Sequence, residues 1–131
     1  LGGYGLVIDP AKAKQLPKLP AGLSRFEGPS TVRVSASRPA EGGELDLHFV
    51  NYNRIEPEKK RSAGGGIKDE KPIPVEKFAV DLQLPPGQKV GRATFITPEQ
   101  PEGSELKVSV ENGRLRCELP AFLVYGVLRL E

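Results

Sequence analysis

The chain has 131 residues, 37% of them apolar and 27% charged, enough for one hydrophobic core and too apolar for a wholly disordered chain. A single Cys and a single His exclude an internal disulfide, a Cys-based zinc site, multi-histidine metal sites and most His-relay chemistry. Nineteen Lys and Arg face seventeen Asp and Glu with the signs interleaved, so the basic stripe that nucleic-acid binding needs is missing, and the longest apolar run, Ala121 to Leu128, is far too short to span a bilayer.

Residues 1–30 read as a linker or an irregular lead-in to the domain formed by residues 31–131. Leu1 to Pro10 is a Gly-rich apolar stretch, Ala11 to Leu16 has the composition for a helical turn or two, and Pro17, Pro20 and Gly22 end it. The chain opens on Leu1, with no basic segment before an apolar one, and so reads as an excised domain or a processed product.

From Thr31 the hydrophobic period becomes two. Val32, Val34 and Ala36 alternate with Arg33, Ser35 and Ser37. After a turn at Pro39 to Gly43, Leu45, Leu47 and Phe49 alternate with Asp46 and His48. Phe78, Val80, Leu82 and Leu84 line the next strand, and Pro85-Pro86-Gly87 is a strong turn. Lys89 to Ile96 reads as a strand, Thr97 to Ser104 as a Pro/Gly loop, and Leu106, Val108 and Val110 as a strand face. Asn112-Gly113 predicts a tight hairpin into a strand lined by Leu115, Cys117 and Leu119. Ala121 to Leu130 is apolar at nearly every position, which suggests a last strand covered on both faces. Val124 counts there as a core residue.

The pattern predicts an all-β fold, an antiparallel β-sandwich of about seven to nine strands. A small barrel is the alternative. One segment interrupts the pattern: Ile55 to Val75, charged and Gly/Pro-rich around Gly64-Gly65-Gly66. A loop of about 20 residues is expected to be functional or mobile, and to be the first site of proteolysis.

Few motifs carry chemistry. Neither Gly cluster has the flanking strand, helix and Lys-Ser/Thr of a phosphate loop. Lys59-Lys60-Arg61 is flanked by Glu56 and Glu58 and reads as a solvated loop. No spacing selects a catalytic carboxylate pair, no Asp-x-Asp-x-Asp-Gly calcium pattern occurs, and nothing calls for a cofactor. Cys117, on an inward position, reads as an inert thiol. The richest constellation is Asp46, His48 and Tyr52, which share the outward parity of one strand, with Asn51, Asn53 and Arg54 extending it into the loop. Tyr125 adds a second ring. An aromatic face with planar polar groups is the set that binds sugar rings and paired hydroxyls. The plainer reading is the polar outer face that any antiparallel sheet has.

Three stretches in order complete the reading: Leu45-Asp46-Leu47-His48-Phe49-Val50-Asn51-Tyr52-Asn53, Val80-Asp81-Leu82-Gln83-Leu84-Pro85-Pro86-Gly87, and Leu119-Pro120-Ala121-Phe122-Leu123-Val124-Tyr125-Gly126. The set resembles the C-terminal antiparallel β-domain that follows the catalytic barrel in many bacterial glycoside hydrolases. The resemblance covers roughly residues 31–131, and the long charged loop departs from it. It implies an accessory sandwich without catalytic activity that binds a polysaccharide or oligosaccharide, or packs on a neighbouring catalytic domain. It also implies a secreted or periplasmic setting, with residues 1–30 as a linker. The rival expectations are a purely structural docking module and an immunoglobulin-like protein-interaction domain.

Overall fold

A computed structural model describes residues 23–55 and 71–131. The described residues form eleven strands: β1 (Arg25–Phe26), β2 (Val32–Ser37), β3 (Leu45–Asn51), β4 (Arg54–Ile55), β5 (Lys71–Pro72), β6 (Phe78–Gln83), β7 (Ala93–Thr97), β8 (Gln100–Glu105), β9 (Ser109–Glu111), β10 (Arg114–Leu119) and β11 (Tyr125–Leu130). A four-stranded sheet has the order β1-β6-β10-β9 and a five-stranded sheet the order β2-β3-β11-β7-β8, while β4 and β5 pair alone. Every pairing is antiparallel. The architecture is the expected all-β sandwich.

The alternating positions of β3 and β6 do what their period demands, whereas in β2 only Val32 is buried, with Val34 half-buried and Ala36 exposed at the end of an edge strand. In β3, Leu45, Leu47 and Phe49 are buried while Asp46, His48 and Val50 are only partly covered. In β6, Phe78, Val80 and Leu82 are buried, and Leu115 and Leu119 join them from β10. Phe49 sits between the sheets, its ring 6.0 Å from Phe26, 6.1 Å from Phe78 and 6.4 Å from Phe122. Such edge-on aromatic contacts add to the stabilisation from area burial alone.

Both tight turns form where the sequence places them. Asn112 (φ 52°) and Gly113 (φ 74°) make the left-handed pair that joins β9 to β10. At Pro85 to Gln88, the Gln88 N–H donates to the Pro85 carbonyl at 3.0 Å. Gly87, at φ 78°, takes the position of a type II turn that favours glycine.

Four expectations are corrected. The stretch read as a loop, Thr97 to Ser104, contains β8, an edge strand in which Pro101 is tolerated because no further strand needs its N–H. Gly103 within β8 has φ 75°, and a Cβ there would lie 2.7 Å from Thr94 Cγ2. The strand read across Leu106 to Val110 is reduced to β9; Leu106 and Val108 precede it and pack on the core as half-buried residues. The strand read from Lys89 begins only at Ala93.

The last strand is the fourth correction. β11 starts at Tyr125, so Val124 precedes it and is half-buried instead of core. It is a central strand, flanked by β3 and β7, with Gly126, Leu128 and Leu130 buried and Tyr125, Val127 and Arg129 on the partly open face. Gly126 lets the Phe95 ring lie over the backbone; a Cβ would come within 2.4 Å of that ring. Part of the expected lead-in also joins the sandwich, since Phe26 pairs with Val80. The ends of the long interrupting segment pair as β4 and β5, and the expectation of mobility for its middle falls on residues outside the described ones.

Candidate functional site

The register of the five-stranded sheet decides which outward residues become neighbours. In one row across it, Arg33 of β2 opposes Val50 of β3, and Val50 opposes Tyr125 of β11. The next row runs Ser35, His48, Val127 and Ile96, and the one after it Ser37, Asp46, Arg129 and Thr94. On the other side of the first row, the Tyr52 N–H donates to the Thr31 carbonyl at 2.9 Å, so the ladder continues one pair beyond β3. Tyr52 therefore keeps the outward parity and is 60% exposed.

His48 organises the middle of this face. Its Nδ1 lies 2.6 Å from the Tyr125 hydroxyl and its Nε2 lies 2.8 Å from the Ser37 hydroxyl. A neutral imidazole donates from one nitrogen and accepts at the other, and the two hydroxyls rotate to suit either tautomer. The His48 and Tyr125 rings lie nearly parallel, 27° apart with centroids 6.1 Å apart. Tyr125 is thus held by its polar end, with its ring nearly parallel to that of His48.

The far row is charged and self-contained. Arg129 Nε donates to Asp46 Oδ1 at 3.2 Å and lies 3.7 Å from Glu44 Oε2. The hydrogen bond and charge of Asp46 raise the Arg129 pKa above its ordinary value, fixing the guanidinium in its charged form. Asp46 therefore faces outward as expected but is already paired.

Asn51 takes the opposite role from Tyr52. It has the inward parity of Leu47 and Phe49 and is 1% exposed. Its Nδ2 donates to the carbonyls of Ile73 at 2.7 Å and Leu123 at 2.8 Å, and its Oδ1 accepts the Asn53 N–H at 3.0 Å. It stitches three chain segments together at the end of the sandwich. Asn53 also uses its backbone carbonyl, which accepts the Ile73 N–H at 3.0 Å. Arg54 is exposed in β4 and has an interaction partner of its own.

The structure thus brings Asp46, His48, Val50, Tyr52 and Tyr125 onto one face and turns Asn51 away from it. Sequence reasoning did not link Ser37 to His48, or Arg129 to Asp46. Each of these contacts joins strands that are neighbours in the sheet and remote in sequence, so parity alone held no signal for them. Among the described residues, no group of three or more His, Cys, Asp or Glu side chains is placed to hold a metal ion. No helix among them is long and apolar enough to cross a membrane. A separate open depression of about 650 Å³ lies between the Arg38 to Glu44 turn, the Pro86 to Lys89 turn and Glu131, and it is lined by charged side chains and no aromatic ring.

No family model matches the chain, and no curated protein matches it. Solved structures do. The fold is shared with short segments of much longer enzymes. The chain is similar to α-L-fucosidase isoenzyme 2 from Paenibacillus thiaminolyticus, at 17% identity and a TM-score of 0.60, over 82% of its own length and 15% of that chain. It is also similar to a cycloisomaltooligosaccharide glucanotransferase from Paenibacillus sp., solved in complex with cycloisomaltoheptaose, at 14% identity and a TM-score of 0.58, over 82% of its own length and 16% of that chain. At such identities the likeness is one of fold.

Proposed function

We propose that this chain is an accessory module, without catalytic activity, of a polysaccharide-degrading glycoside hydrolase, and that it binds carbohydrate on the outer face of the five-stranded sheet. The observation that carries the reading is the size relation to the matched enzymes. A sandwich of this fold makes up 15% of a fucosidase chain and 16% of a glucanotransferase chain. A segment so small within such an enzyme is suited to an auxiliary task. The outer face supports the sugar-binding part of the reading. It presents the open ring of Tyr52, the oriented ring of Tyr125, the apolar surface of Val50 and the hydroxyls of Ser35 and Ser37 within four rows.

The mechanism is proximity. A weak site, of micromolar to millimolar affinity, holds polymer beside a linked catalytic domain and raises its local concentration there. Tyr52 supplies the stacking face and Tyr125 a second one. His48 orients Tyr125, since both of its ring nitrogens are engaged within the protein. A second reading is a docking module that packs on the catalytic domain and binds no sugar. The in-house pairing of Asp46, Asn51 and His48 favours that reading, because it leaves fewer polar atoms for a ligand. Affinity electrophoresis of the chain through gels containing xylan, glucan, mannan or pectin separates the two. Retardation by one polymer is the expected result, and unretarded migration through all of them leaves only the docking module.

A further inference from the structure

We propose that the ligand of this face is an acidic saccharide, a polymer containing uronic acids, and that Arg33 is the partner of its carboxylate. The inference rests on the carbohydrate-binding reading above and adds the chemical class of the ligand.

It comes from the balance of charge over the face. In the far row, Arg129 is neutralised by Asp46 and Glu44. Near the β7 and β8 edge, Arg92 lies 4.0 Å from Glu105. Arg54 has its own partner. Arg33 differs from all of these. It is exposed on β2, and among the described residues no carboxylate lies in ion-pair range of it. The far row, with one cation between two carboxylates, therefore carries the negative charge of the face, and the cation without a carboxylate partner among the described residues lies at the other end, where the tyrosines are.

Register then places that charge usefully. Arg33, Val50 and Tyr125 form one row across three adjacent strands. With strands about 4.8 Å apart, the row spans about 10 Å from Arg33 to Tyr125. That leaves room for a pyranose lying on Val50 and the Tyr125 ring, with its exocyclic carbon directed toward β2. A hydroxymethyl group there would offer a guanidinium one weak acceptor. A carboxylate would accept two parallel N–H bonds from the planar fork, a shorter and stronger charge-assisted pair. Ser35 flanks Arg33 on the same face, is exposed, and supplies a hydroxyl for the sugar's own. An exposed pair of this kind is worth little by itself, but beside a stacked ring it selects the acidic sugar over its neutral counterpart.

The test uses the full 131-residue chain in native gels containing polygalacturonate, neutral galactan or dextran sulfate. The variants are Arg33→Gln, Tyr52→Ala and Arg116→Gln. Arg116→Gln removes the same charge from the opposite sheet and is the control. Retardation by polygalacturonate should exceed that by galactan, fall by roughly tenfold in Arg33→Gln and stay unchanged in Arg116→Gln. It should also weaken between about 20 and 300 mM salt, as an exposed ion pair does. Melting temperatures should be equal for all chains except Tyr52→Ala, where a small shift is tolerated. Retardation by galactan alone would overturn the acidic class and leave the carbohydrate-binding reading standing. Equal retardation of Arg33→Gln and the parent would overturn the role of Arg33. Dextran sulfate binding as strong as polygalacturonate binding would reduce the effect to general polyanion attraction and overturn the proposal. Free migration through every polymer would overturn both this inference and the carbohydrate-binding reading.

Discussion

The two sheets turn opposite kinds of surface to solvent. On the four-stranded sheet, Arg114 donates to Asp81 at 2.9 Å, to Gln83 at 3.0 Å and to the Leu23 carbonyl at 2.8 Å, and Arg116 lies 3.6 Å from the same Asp81. Both of these arginines are engaged by the protein, and among the described residues no aromatic side chain of its strands stands on that face. On the five-stranded sheet, Tyr125, Val50, Val127 and Ile96 remain half-exposed, and Arg33 has no ion-pair partner among the described residues. One surface closes on itself, and the other leaves apolar area and charge for a partner. Both faces follow from the same period-two pattern. What separates them is which residues the strand register makes neighbours.

The inner faces should dominate stability, and they set the scale for the comparison. Leu47→Ala is expected to lose about 2–5 kcal/mol in chemical unfolding, since the side chain is buried against both sheets. A smaller loss would mean that the five-stranded sheet does not rely on this packing. The inner side of the four-stranded sheet carries Cys117, opposite Val80. Burial pushes its thiol from 9.0 up to about 11. The shift favours the neutral form, so at pH 8 the folded chain should hold roughly a hundredfold less thiolate than the unfolded one. Thiol labelling in buffer and in denaturant measures this directly; equal rates would show the sheet to be open. By linkage, the contribution of this thiol to stability is constant below pH 9 and declines as pH rises from about 9 toward 11.

Asn51 and Tyr52 sharpen the contrast between inward and outward within two adjacent residues. Asn51→Ala removes both donors to the Ile73 and Leu123 carbonyls, at a cost of about 1–3 kcal/mol. Tyr52→Ala should barely move the melting temperature, yet weaken polymer binding about 5–30-fold, the equivalent of about 1–2 kcal/mol for one ring face. If Tyr52→Ala unfolds the chain and leaves binding intact, the open face is structural. The smallest effect belongs to the closed surface. Arg114→Gln should cost about 1 kcal/mol or less, because the pair is partly exposed, and should leave gel mobility in polymer unchanged. A change in retardation would show that the four-stranded sheet takes part in binding.

Much of this was legible without coordinates, and the reasons are local. A period of two marks β2, β3, β6 and β10 because their inner residues meet a dry core and their outer residues meet water. Asn112-Gly113 and Pro86-Gly87 mark their turns because few other residue pairs adopt those backbone angles at low cost. Local rules fail where context decides. β8 looks like a loop because Pro101 and Gly103 read as breakers, and only its edge position makes them harmless. β11 is so uniformly apolar that its length and start are ambiguous, and pairing with both β3 and β7 fixes them. Asn51 reads as part of a polar cluster with its neighbours, yet its parity turns it inward to satisfy carbonyls from segments far along the chain.

The sequence by itself determined the sandwich class, most of the inner faces, the two tight turns and the outward parity of Asp46, His48 and Tyr52, because each depends on spacing within one strand. Only the tertiary structure decided the strand order, the placement of Tyr125 beside His48, the pairing of Arg129 with Asp46 and the lack of a carboxylate partner for Arg33 among the described residues. Those are relations between strands separated by up to 83 residues, as in the Arg129 to Asp46 bond. Hydrogen bonding and packing settle such a register only when the whole sheet assembles.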